Sequence, residues 1–482
     1  MNKILHKDYI NPGKVFENVY FVGIRSASTH IIDTTDGLIL IDPGYPETLW
    51  IVLDNIKELG FNPMDIRIIL MSHGHIDHAG AAKELARLTG AKTYIGKEDY
   101  QMAIGKEMSS YARSSQERER IAFSPDTLLS DRDIVSLGNT NVLCLETPGH
   151  TKGTLSFFFD VTKNGKVYKA GMHGGVGTNT LTKSFLKKFN HPFENREIFL
   201  KSLEYAATQK VDIFLGNHVG NNNTEEKLIK VANGDEFAFY TPHEWPEFLN
   251  RIKNKLNILV KEEISMENTV SSILKEKMII IVRGVEREKL IPFAEAVYNG
   301  GARIIECTFD STGATPDQEI AANIKLLAEH FGDKMLIGAG TVLTESQVEL
   351  TKKAGGKFII SPDTNPQIIA KTKKENLVSI PGALTPSEAV TAHNAGADFV
   401  KLFPIGRMGS GYIKDVKAPL SHIKFLAVGG VNADNIAEFI KNGASGVGIG
   451  SDIANKKLIA ENKFEEIENT TRKYIEAINS VK

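Results

Sequence analysis

Four residues with strong potential for metal chemistry lie within six positions of one another: His73, His75, Asp77 and His78. They directly follow residues 66–71, an apolar run with the length of a β-strand. Imidazole and carboxylate groups are good ligands for zinc or iron, and their close spacing lets one loop present several of them to a shared centre. The segment therefore predicts a metal site at a strand end.

Two further histidines occur in matching positions. His150 follows the apolar run 142–145, and His218 follows the apolar residues 214–215. A single histidine on a protein surface is usually not a ligand. The pattern H-x-H-x-D-H together with two more strand-end histidines instead indicates one metal centre built from several loops.

The second half of the chain has a lysine and a glutamate inside apolar runs. Burial of Lys401 lowers its pKa and favours the neutral amine, which attacks ketones to form Schiff bases. Such chemistry also needs a proton shuttle, and Glu306 ends another apolar run. The alternative interpretation of these two residues is a buried ion pair that serves structure alone.

The elements that position Lys401 and Glu306 form a regular series of apolar runs with helices between them. Their continuous apolarity is typical of parallel strands that are buried on both faces. The eight runs cover 278–283, 303–307, 335–338, 357–361, 377–381, 399–403, 424–428 and 446–450. Eight near-even units favour a closed (β/α)8 barrel over residues 270–482, with a doubly wound sheet as the alternative.

The first half has a different pattern, in which short strands and turns over residues 15–45 are followed by alternating helices and strands. This pattern predicts a layered α/β domain with functional residues at strand ends. A helix over 246–263 is expected to close a first domain of residues 1–263. Residues 264–269 are expected to be a short polar linker to the second domain, residues 270–482.

Composition excludes several classes of protein. The 482 residues carry 57 Lys+Arg against 59 Asp+Glu, so the chain lacks the basic excess expected of a nucleic-acid-binding protein. Its two cysteines lie far apart and indicate neither a disulfide framework nor a Cys-based zinc site. No apolar run has the length of a membrane helix or a signal peptide, so we expect a cytoplasmic protein without membrane contacts.

Residues 1–263 resemble the metallo-β-lactamase fold family in the H-x-H-x-D-H segment and the strand-end histidines. The resemblance implies a four-layer αββα sandwich that holds one or two divalent metal ions, with zinc expected. It assigns these ligands: His73, His75 and His150 to the first ion; Asp77, His78 and His218 to the second. It also implies a metal-activated water as nucleophile, Asp77 as a catalytic residue as well as a ligand, and Asp42 as a support for the ligands.

One departure from that family bears on the hydrolase. Many of its hydrolases carry a bridging aspartate after the strand near 170, where this chain has Ala-Gly-Met-His-Gly-Gly over 170–175. His173 could add a ligand or simply line the pocket. The resemblance predicts hydrolysis of an ester, thioester, lactone or amide. The alternatives are a metal-binding module without turnover and nucleic-acid cleavage, and the balanced charge argues against the latter.

Residues 270–456 resemble the 2-keto-3-deoxy-6-phosphogluconate / 2-keto-4-hydroxyglutarate aldolase family in the segments 338–343, 361–362, 380–388, 401–404 and 448–451. The resemblance implies a class I aldolase without a cofactor, in which Lys401 forms a Schiff base with pyruvate and Glu306 transfers protons. The substrate-binding residues that it implies are Thr341 for the carboxylate, Phe403 beside the imine, Ser361 and Pro362, and Gly429, Gly430, Gly450 and Ser451 for a phosphate.

Two departures concern the substrate of this aldolase. The family commonly has an arginine shortly after the glutamate, where this chain has Phe309-Asp310-Ser311, so Arg283 is expected to supply the missing charge. Val428 replaces the threonine of the phosphate loop, which leaves unphosphorylated acids of the 4-hydroxy-2-oxoglutarate type open as substrates. The partners expected are small molecules and further copies of the chain, in a trimer formed through the aldolase domain.

Overall fold

The computed structural model describes residues 3–481. The chain divides into two compact units, with the boundary between Val260 and Lys261. Within the described residues, no helix combines the length and apolarity needed to cross a membrane.

The first unit contains two β-sheets. Its strands are β1 Gly13–Phe16, β2 Val19–Phe21, β3 His30–Thr34, β4 Gly37–Ile41, β5 Ile66–Leu70, β6 Lys92–Gly96, β7 Thr127–Leu129, β8 Asp133–Leu137, β9 Thr140–Glu146, β10 Leu155–Lys163, β11 Lys166–Met172 and β12 Ile213–Phe214. One sheet has the order β1 to β7, and the other has the order β12-β11-β10-β9-β8. The first is antiparallel from β1 to β4 and parallel from β4 to β7.

Alternate residues of these strands face opposite sides, as the strand period of two requires. Ile41 and Phe157 belong to the apolar core between the two sheets, whereas Leu40 and Phe158 belong to cores on the outer faces. Helices cover both outer faces and complete an αββα sandwich, which confirms the predicted fold. The helices are α1 Leu49–Glu58, α2 Ile76–Ala79, α3 Ala82–Thr89, α4 Tyr100–Ala103, α5 Ser115–Ile121, α6 Lys183–Lys188, α7 Asn195–Ala206, α8 Thr224–Ala232 and α9 Glu244–Glu276.

Helix α9 corrects the expected linker. Residues 264–269 are helical throughout, because no glycine or proline interrupts the chain between Pro246 and the end of α9. The Thr269 hydroxyl donates to the Ser265 carbonyl, and Ile273 lies in a buried cluster with barrel residues such as Phe358. The polar composition of 264–269 therefore reflects the solvent-facing side of a helix and not a flexible connector.

The second unit is a parallel barrel. Its strands are β13 Met278–Val282, β14 Ile304–Thr308, β15 Leu336–Gly340, β16 Phe358–Ile360, β17 Val378–Ile380, β18 Gly382–Ala383, β19 Val400–Leu402, β20 Phe425–Val428 and β21 Gly446–Ile449. Pro381 separates β17 from β18, which are two halves of the fifth barrel strand: β17 pairs with β16 and β18 pairs with β19. The Pro381 carbonyl accepts the N–H of Lys401 at 2.8 Å and continues the ladder. All eight predicted strands are present.

Helices follow the barrel strands and pack around them. They are α10 Arg287–Asn299, α11 Asp317–Phe331, α12 Glu345–Lys353, α13 Pro366–Lys374, α14 Pro386–Asn394, α15 Ser410–Lys417, α16 Ile436–Lys441, α17 Lys456–Ala460 and α18 Phe464–Asn479. The buried side chains between strands and helices form the main core of this unit. Strand ends therefore converge at one mouth of the barrel, where barrel enzymes hold their reactive groups.

Candidate functional site

The first predicted metal group lies at the carboxyl ends of strands β5 and β9. The Nδ1 atom of His75 is 3.1 Å from Nε2 of His150, and the ring of His73 is 4.7 Å and 4.9 Å from their rings. One ligand atom from each of the three lies within 4.8 Å of the others. The structure thus brings together histidines from two loops that are far apart in the sequence.

The second predicted group lies beside the first. His78 Nε2 is 3.2 Å from His218 Nε2 and 3.3 Å from the Asp77 carboxylate, which is 3.7 Å from His218 Nε2. The rings of His73 and His78 are 4.3 Å apart, so the two groups adjoin. All six predicted ligands therefore surround one small region.

Three of the histidines are oriented by a contact of the other ring nitrogen. Nδ1 of His78 is 2.8 Å from Asp42 Oδ2, Nδ1 of His150 is 2.8 Å from the Gly177 carbonyl, and Nδ1 of His218 is 2.9 Å from the Ser26 carbonyl. Such contacts place the hydrogen on Nδ1 and leave the lone pair of Nε2 free toward the centre. Asp42 thus stands where the resemblance implied a supporting carboxylate.

The donor set fits a divalent metal ion. Nε2 of His73 is buried and has no hydrogen-bond partner, which is costly unless a cation occupies the space between the ligands. Burial and the neighbouring imidazoles lower the pKa of His73 and His75, and burial lowers the pKa of His150 to about 4. These histidines are therefore neutral near pH 7, as metal ligands must be. Nitrogen and carboxylate donors of this kind suit Zn²⁺.

His173 lies outside both ligand groups. Its Nδ1 accepts the N–H of Gly175 at 3.3 Å, and its ring packs 6.5 Å from that of Phe199. The two glycines that follow His173 have no room for a side chain. A Cβ on Gly174 would lie 1.9 Å from the Leu155 carbonyl oxygen, and one on Gly175 would lie 2.6 Å from the ring of His150.

Sequence reasoning missed Asp99, a buried carboxylate that joins the two ligand loops. It accepts the N–H of Gly74 at 2.8 Å, the N–H of Gly153 at 2.7 Å and the hydroxyl of Thr151 at 2.7 Å. Because Gly74 lies between His73 and His75 and Thr151 follows His150, these bonds fix the spacing of the ligands. Asp99 ends a short helical turn and has no ligand pattern around it that would identify it from the sequence.

In the second unit, Glu306 and Lys401 line the same small cavity inside the barrel, among side chains such as Ile279, Ile360 and Leu426. Glu306 Oε2 is buried without a partner. Burial raises the pKa of Glu306 to about 7 against the opposing charges of Lys401 and Arg283. Burial likewise lowers the pKa of Lys401, although Glu306 acts in the opposite direction. An acid poised near neutrality and an amine shifted toward its neutral form thus share one cavity.

Arg283 and Thr341 meet at the mouth of the barrel. Nη2 of Arg283 lies 3.4 Å from the Thr341 hydroxyl, and its charge reaches both Glu306 and Lys401. Thr341 has a φ of 55°, which is a strained conformation for a β-branched residue and is typical of functional sites. Asp310, which replaces the usual arginine, instead accepts hydrogen bonds from Thr312 and Thr315 within its own loop.

A larger cleft opens at the same mouth and is lined by Phe403, whose ring lies 4.7 Å from Nζ of Lys401. The predicted residues that line it are Arg283, Phe403, Gly429, Gly430, Gly450 and Ser451. Gly429 and Gly430 have φ values of 86° and 83°, so side chains there would be strained. Ser361 and Pro362 do not line it, and the Ser361 hydroxyl donates to the Asp363 carbonyl.

Sequence reasoning also missed Lys456 and Lys457, which line this cleft together with the glycines. A Cβ on Gly284, next to Arg283, would lie 3.9 Å from the Lys456 ammonium. Both lysines begin α17 and read as ordinary surface residues, so only the fold reveals their position. Together with Arg283 they make the cleft suitable for an anion.

The two sites define a metallo-β-lactamase-fold domain followed by an aldolase barrel. A family model described as "KDPG and KHG aldolase" matches residues 270–470, and one described as "Metallo-beta-lactamase superfamily" matches residues 22–164. The chain belongs to the KDPG and KHG aldolase family through its second unit, and its first unit belongs to the metallo-β-lactamase superfamily.

Individual relatives agree with these assignments. A 2-dehydro-3-deoxy-6-phosphogalactonate aldolase from Escherichia coli is 34% identical over 42% of this chain and 97% of its own length. A 2-dehydro-3-deoxy-phosphogluconate aldolase from Haemophilus influenzae is 32% identical over 42% of this chain and 94% of its own length. A mutant of the FEZ-1 metallo-β-lactamase from Legionella gormanii is a structural neighbour, with a TM-score of 0.50 and 27% identity, and the match covers 54% of this chain and 98% of that one.

Proposed function

We propose that the chain is a bifunctional enzyme with a metal-dependent hydrolase in its first unit and a Schiff-base aldolase in its second. The aldolase cleaves a 2-keto-3-deoxy sugar acid or a 4-hydroxy-2-oxo acid to pyruvate and an aldehyde. The observation that carries the aldolase is the cavity shared by Lys401 and Glu306. The relatives' names favour phosphorylated substrates of the 2-keto-3-deoxy-phosphogalactonate or -phosphogluconate type, and the cationic cleft beside Arg283 agrees with them.

The residues suggest the following sequence of steps. The neutral Lys401 amine adds to the keto carbon of the substrate, and loss of water gives an imine. The Glu306 carboxylate takes the proton of the C4 hydroxyl while the C3–C4 bond breaks, so the aldehyde leaves and the electron pair passes to the imine as an enamine. Glu306 then returns the proton to C3, and water releases pyruvate and restores the lysine. Arg283 and Thr341 would hold the substrate carboxylate.

Reductive trapping tests the aldolase. We expect borohydride with pyruvate to add one reduced pyruvyl group to the intact chain, and peptide mass spectrometry to locate it on Lys401. Lys401→Ala should take up no pyruvyl group, whereas Lys424→Ala, which changes a lysine just before β20, should be labelled like the parent chain. Absence of an adduct, or an adduct elsewhere, would remove the Schiff-base mechanism.

The hydrolase rests on the six convergent ligands. His73, His75 and His150 would hold one divalent ion, and Asp77, His78 and His218 a second, with zinc as the expected metal. A bound divalent ion supplies Lewis-acid activation of a carbonyl group and of water. The chain's own residues orient the ligands: Asp42 holds His78, and Asp99 holds the two ligand loops together. A substrate carbonyl would approach the centre from its open side. The proposed substrate is a lactone or acyl derivative of a sugar-acid-like compound.

A substrate panel on the zinc-loaded full chain tests this half. We expect hydrolysis of at least one aldonolactone, acyl ester, thioester or amide, and loss of that hydrolysis in His150→Ala together with reduced metal content. Lys401→Ala should hydrolyse the same substrate at the parental rate. Stoichiometric zinc without hydrolysis of any of these compounds would instead indicate a non-hydrolytic metal-binding module joined to an active aldolase.

A further inference from the structure

A glutamate–histidine pair lies beside the metal ligands without belonging to them. Nε2 of His191 is 3.3 Å from Oε1 of Glu107, which also accepts the Ser109 hydroxyl at 3.0 Å. The imidazole packs near the rings of Phe185 and Phe189, with ring centres 6.0 Å and 6.2 Å away. These contacts hold the pair in one arrangement, although its members come from segments far apart in the sequence.

The pair faces the same pocket as two metal ligands. His75 and His150 line this pocket together with Glu107 and His191. The segment that carries Glu107 is also tied to the ligand loop, because the N–H of Ile76 donates to the Ser110 carbonyl at 3.0 Å. A substrate whose reacting carbonyl lies at the metal centre would therefore place a neighbouring part of the molecule against the pair.

The hydrogen-bonding capacity of the pair indicates what that neighbouring part is. When Nε2–H of His191 donates to Glu107, Nδ1 remains as an acceptor, and Oε2 of the carboxylate takes part in neither of the two contacts above. The side chains are 15% and 25% exposed, so the pair is shielded yet open to the pocket. Two acceptors side by side are complementary to two hydroxyl donors. An unsubstituted alkyl chain offers no donor to these two acceptors. Its binding would displace water from them and leave them without hydrogen bonds, which is costly.

On the basis of the proposed hydrolase function, we propose that Glu107 and His191 bind hydroxyl groups of the substrate's acyl part. The hydrolase then takes a polyhydroxylated lactone or ester in preference to its unsubstituted counterpart. Its product is a hydroxylated carboxylic acid. A dehydration would convert such an acid into a 2-keto-3-deoxy acid, and a phosphorylation would then give the phosphorylated form that the proposed aldolase favours. The two halves would thus act before and after those two classes of reaction.

Binding measurements test the pair without relying on turnover. Calorimetric titration of the zinc-loaded full chain with gluconate and with butyrate compares a polyhydroxylated carboxylate with a shorter, unsubstituted one. We expect Glu107→Gln and His191→Phe to weaken gluconate binding about tenfold or more, and to leave butyrate binding within about twofold. Glu119→Gln, an exposed glutamate on α5, is the matched control and should bind gluconate like the parent chain. The aldolase half is identical in all variants, so any gluconate or butyrate that it binds contributes equally to every titration and does not affect the comparison.

Equal losses for gluconate and butyrate, or no loss for either, would overturn the role of the pair. Assays of aldono-γ-lactone and γ-butyrolactone hydrolysis distinguish failure of the proposed role of the pair from failure of the proposed hydrolase. Turnover of both lactones without dependence on Glu107 or His191 would overturn the pair alone. Hydroxyl-dependent binding through the pair without turnover of any lactone or ester would overturn the hydrolase and leave the pair as a binding site for polyhydroxylated acids.

Discussion

Oδ2 of Asp42 lies 2.8 Å from Nδ1 of His78, and both side chains are fully buried. The same carboxylate accepts the N–H and the hydroxyl of Ser72, each at 2.7 Å. Asp42 follows β4 with a φ of 56°, a conformation that costs energy and that the three hydrogen bonds stabilise. The carboxylate thus couples the end of one strand to the ligand loop that follows the next.

Asp42→Asn should weaken metal binding about 10- to 100-fold, because the amide no longer accepts the Nδ1 hydrogen of His78 with a full charge. Competition with a chromophoric chelator measures the affinity. Asp36→Asn, in the exposed turn between β3 and β4, is the matched control and should bind metal like the parent chain. Unchanged affinity in Asp42→Asn would show that His78 needs no such support.

Asp99→Ala should destabilise the first unit. The substitution leaves the buried N–H groups of Gly74 and Gly153 without partners, at a cost of about 2–6 kcal/mol. Added zinc should raise the Tm of the first unit, which identifies its transition in thermal unfolding, and the variant should lower that Tm. Its metal affinity should also fall, because both ligand loops lose their common anchor. Lys97→Ala, which changes an exposed residue two positions earlier, should alter neither the Tm nor the metal affinity. Equal losses in both variants would contradict the anchoring role of Asp99.

The fold and the convergence of the candidate metal ligands could be predicted because their signals are local. Apolar runs mark the barrel strands, and His73, His75 and His78 come directly after such a run. Asp99 gave no such signal, since its partners Gly74 and Gly153 lie 25 and 54 positions away. Residues of this kind obtain their role from tertiary packing alone.

The helix α9 shows a different limit. Residues 264–269 are polar enough to resemble a linker, but Val270 and Ile273, just beyond them, pack against the barrel and extend the helix. Tertiary burial of one face therefore decided the conformation of a segment whose composition was ambiguous. Lys456 and Lys457 were overlooked for a related reason, because exposed lysines are common and only the position of α17 places them in the cleft.

The pKa of Glu306 predicts a pH dependence for the aldolase. Removal of a proton from the methyl group of bound pyruvate requires the carboxylate form, which is present above a pKa of about 7. Exchange of the pyruvate methyl hydrogens in D2O, followed by NMR, should therefore rise with pH, reach half of its maximum at about pH 7, and level off about one pH unit higher. Burial lowers the pKa of Lys401, but imine formation still requires its neutral amine. Where formation of that amine limits the reaction, the exchange rate would continue to increase at higher pH.

Glu306→Gln should reduce this exchange about 100-fold or more, since positioned proton transfer contributes that much. The variant should still form the borohydride-trapped adduct at Lys401, which separates loss of the proton shuttle from loss of folding. Glu288→Gln, an exposed glutamate in α10, should exchange at the parental rate. Parental exchange in Glu306→Gln would assign the proton transfer to another group.

The cleft at the barrel mouth predicts how the enzyme distinguishes phosphorylated substrates. Lys456 and Lys457 lie there with Arg283 and the glycines that follow β20, so a phosphate would meet two ammonium groups and exposed backbone N–H groups. Lys456→Ala/Lys457→Ala should lower kcat/KM for 2-keto-3-deoxy-6-phosphogluconate about 100-fold or more, because two charge-assisted hydrogen bonds of about 1.5–3 kcal/mol each are lost. Cleavage of unphosphorylated 2-keto-3-deoxygluconate should stay within about twofold. Lys463→Ala, which changes an exposed lysine just before α18, serves as the control. An equal fall for both substrates would mean that the lysines support the barrel and do not hold a phosphate.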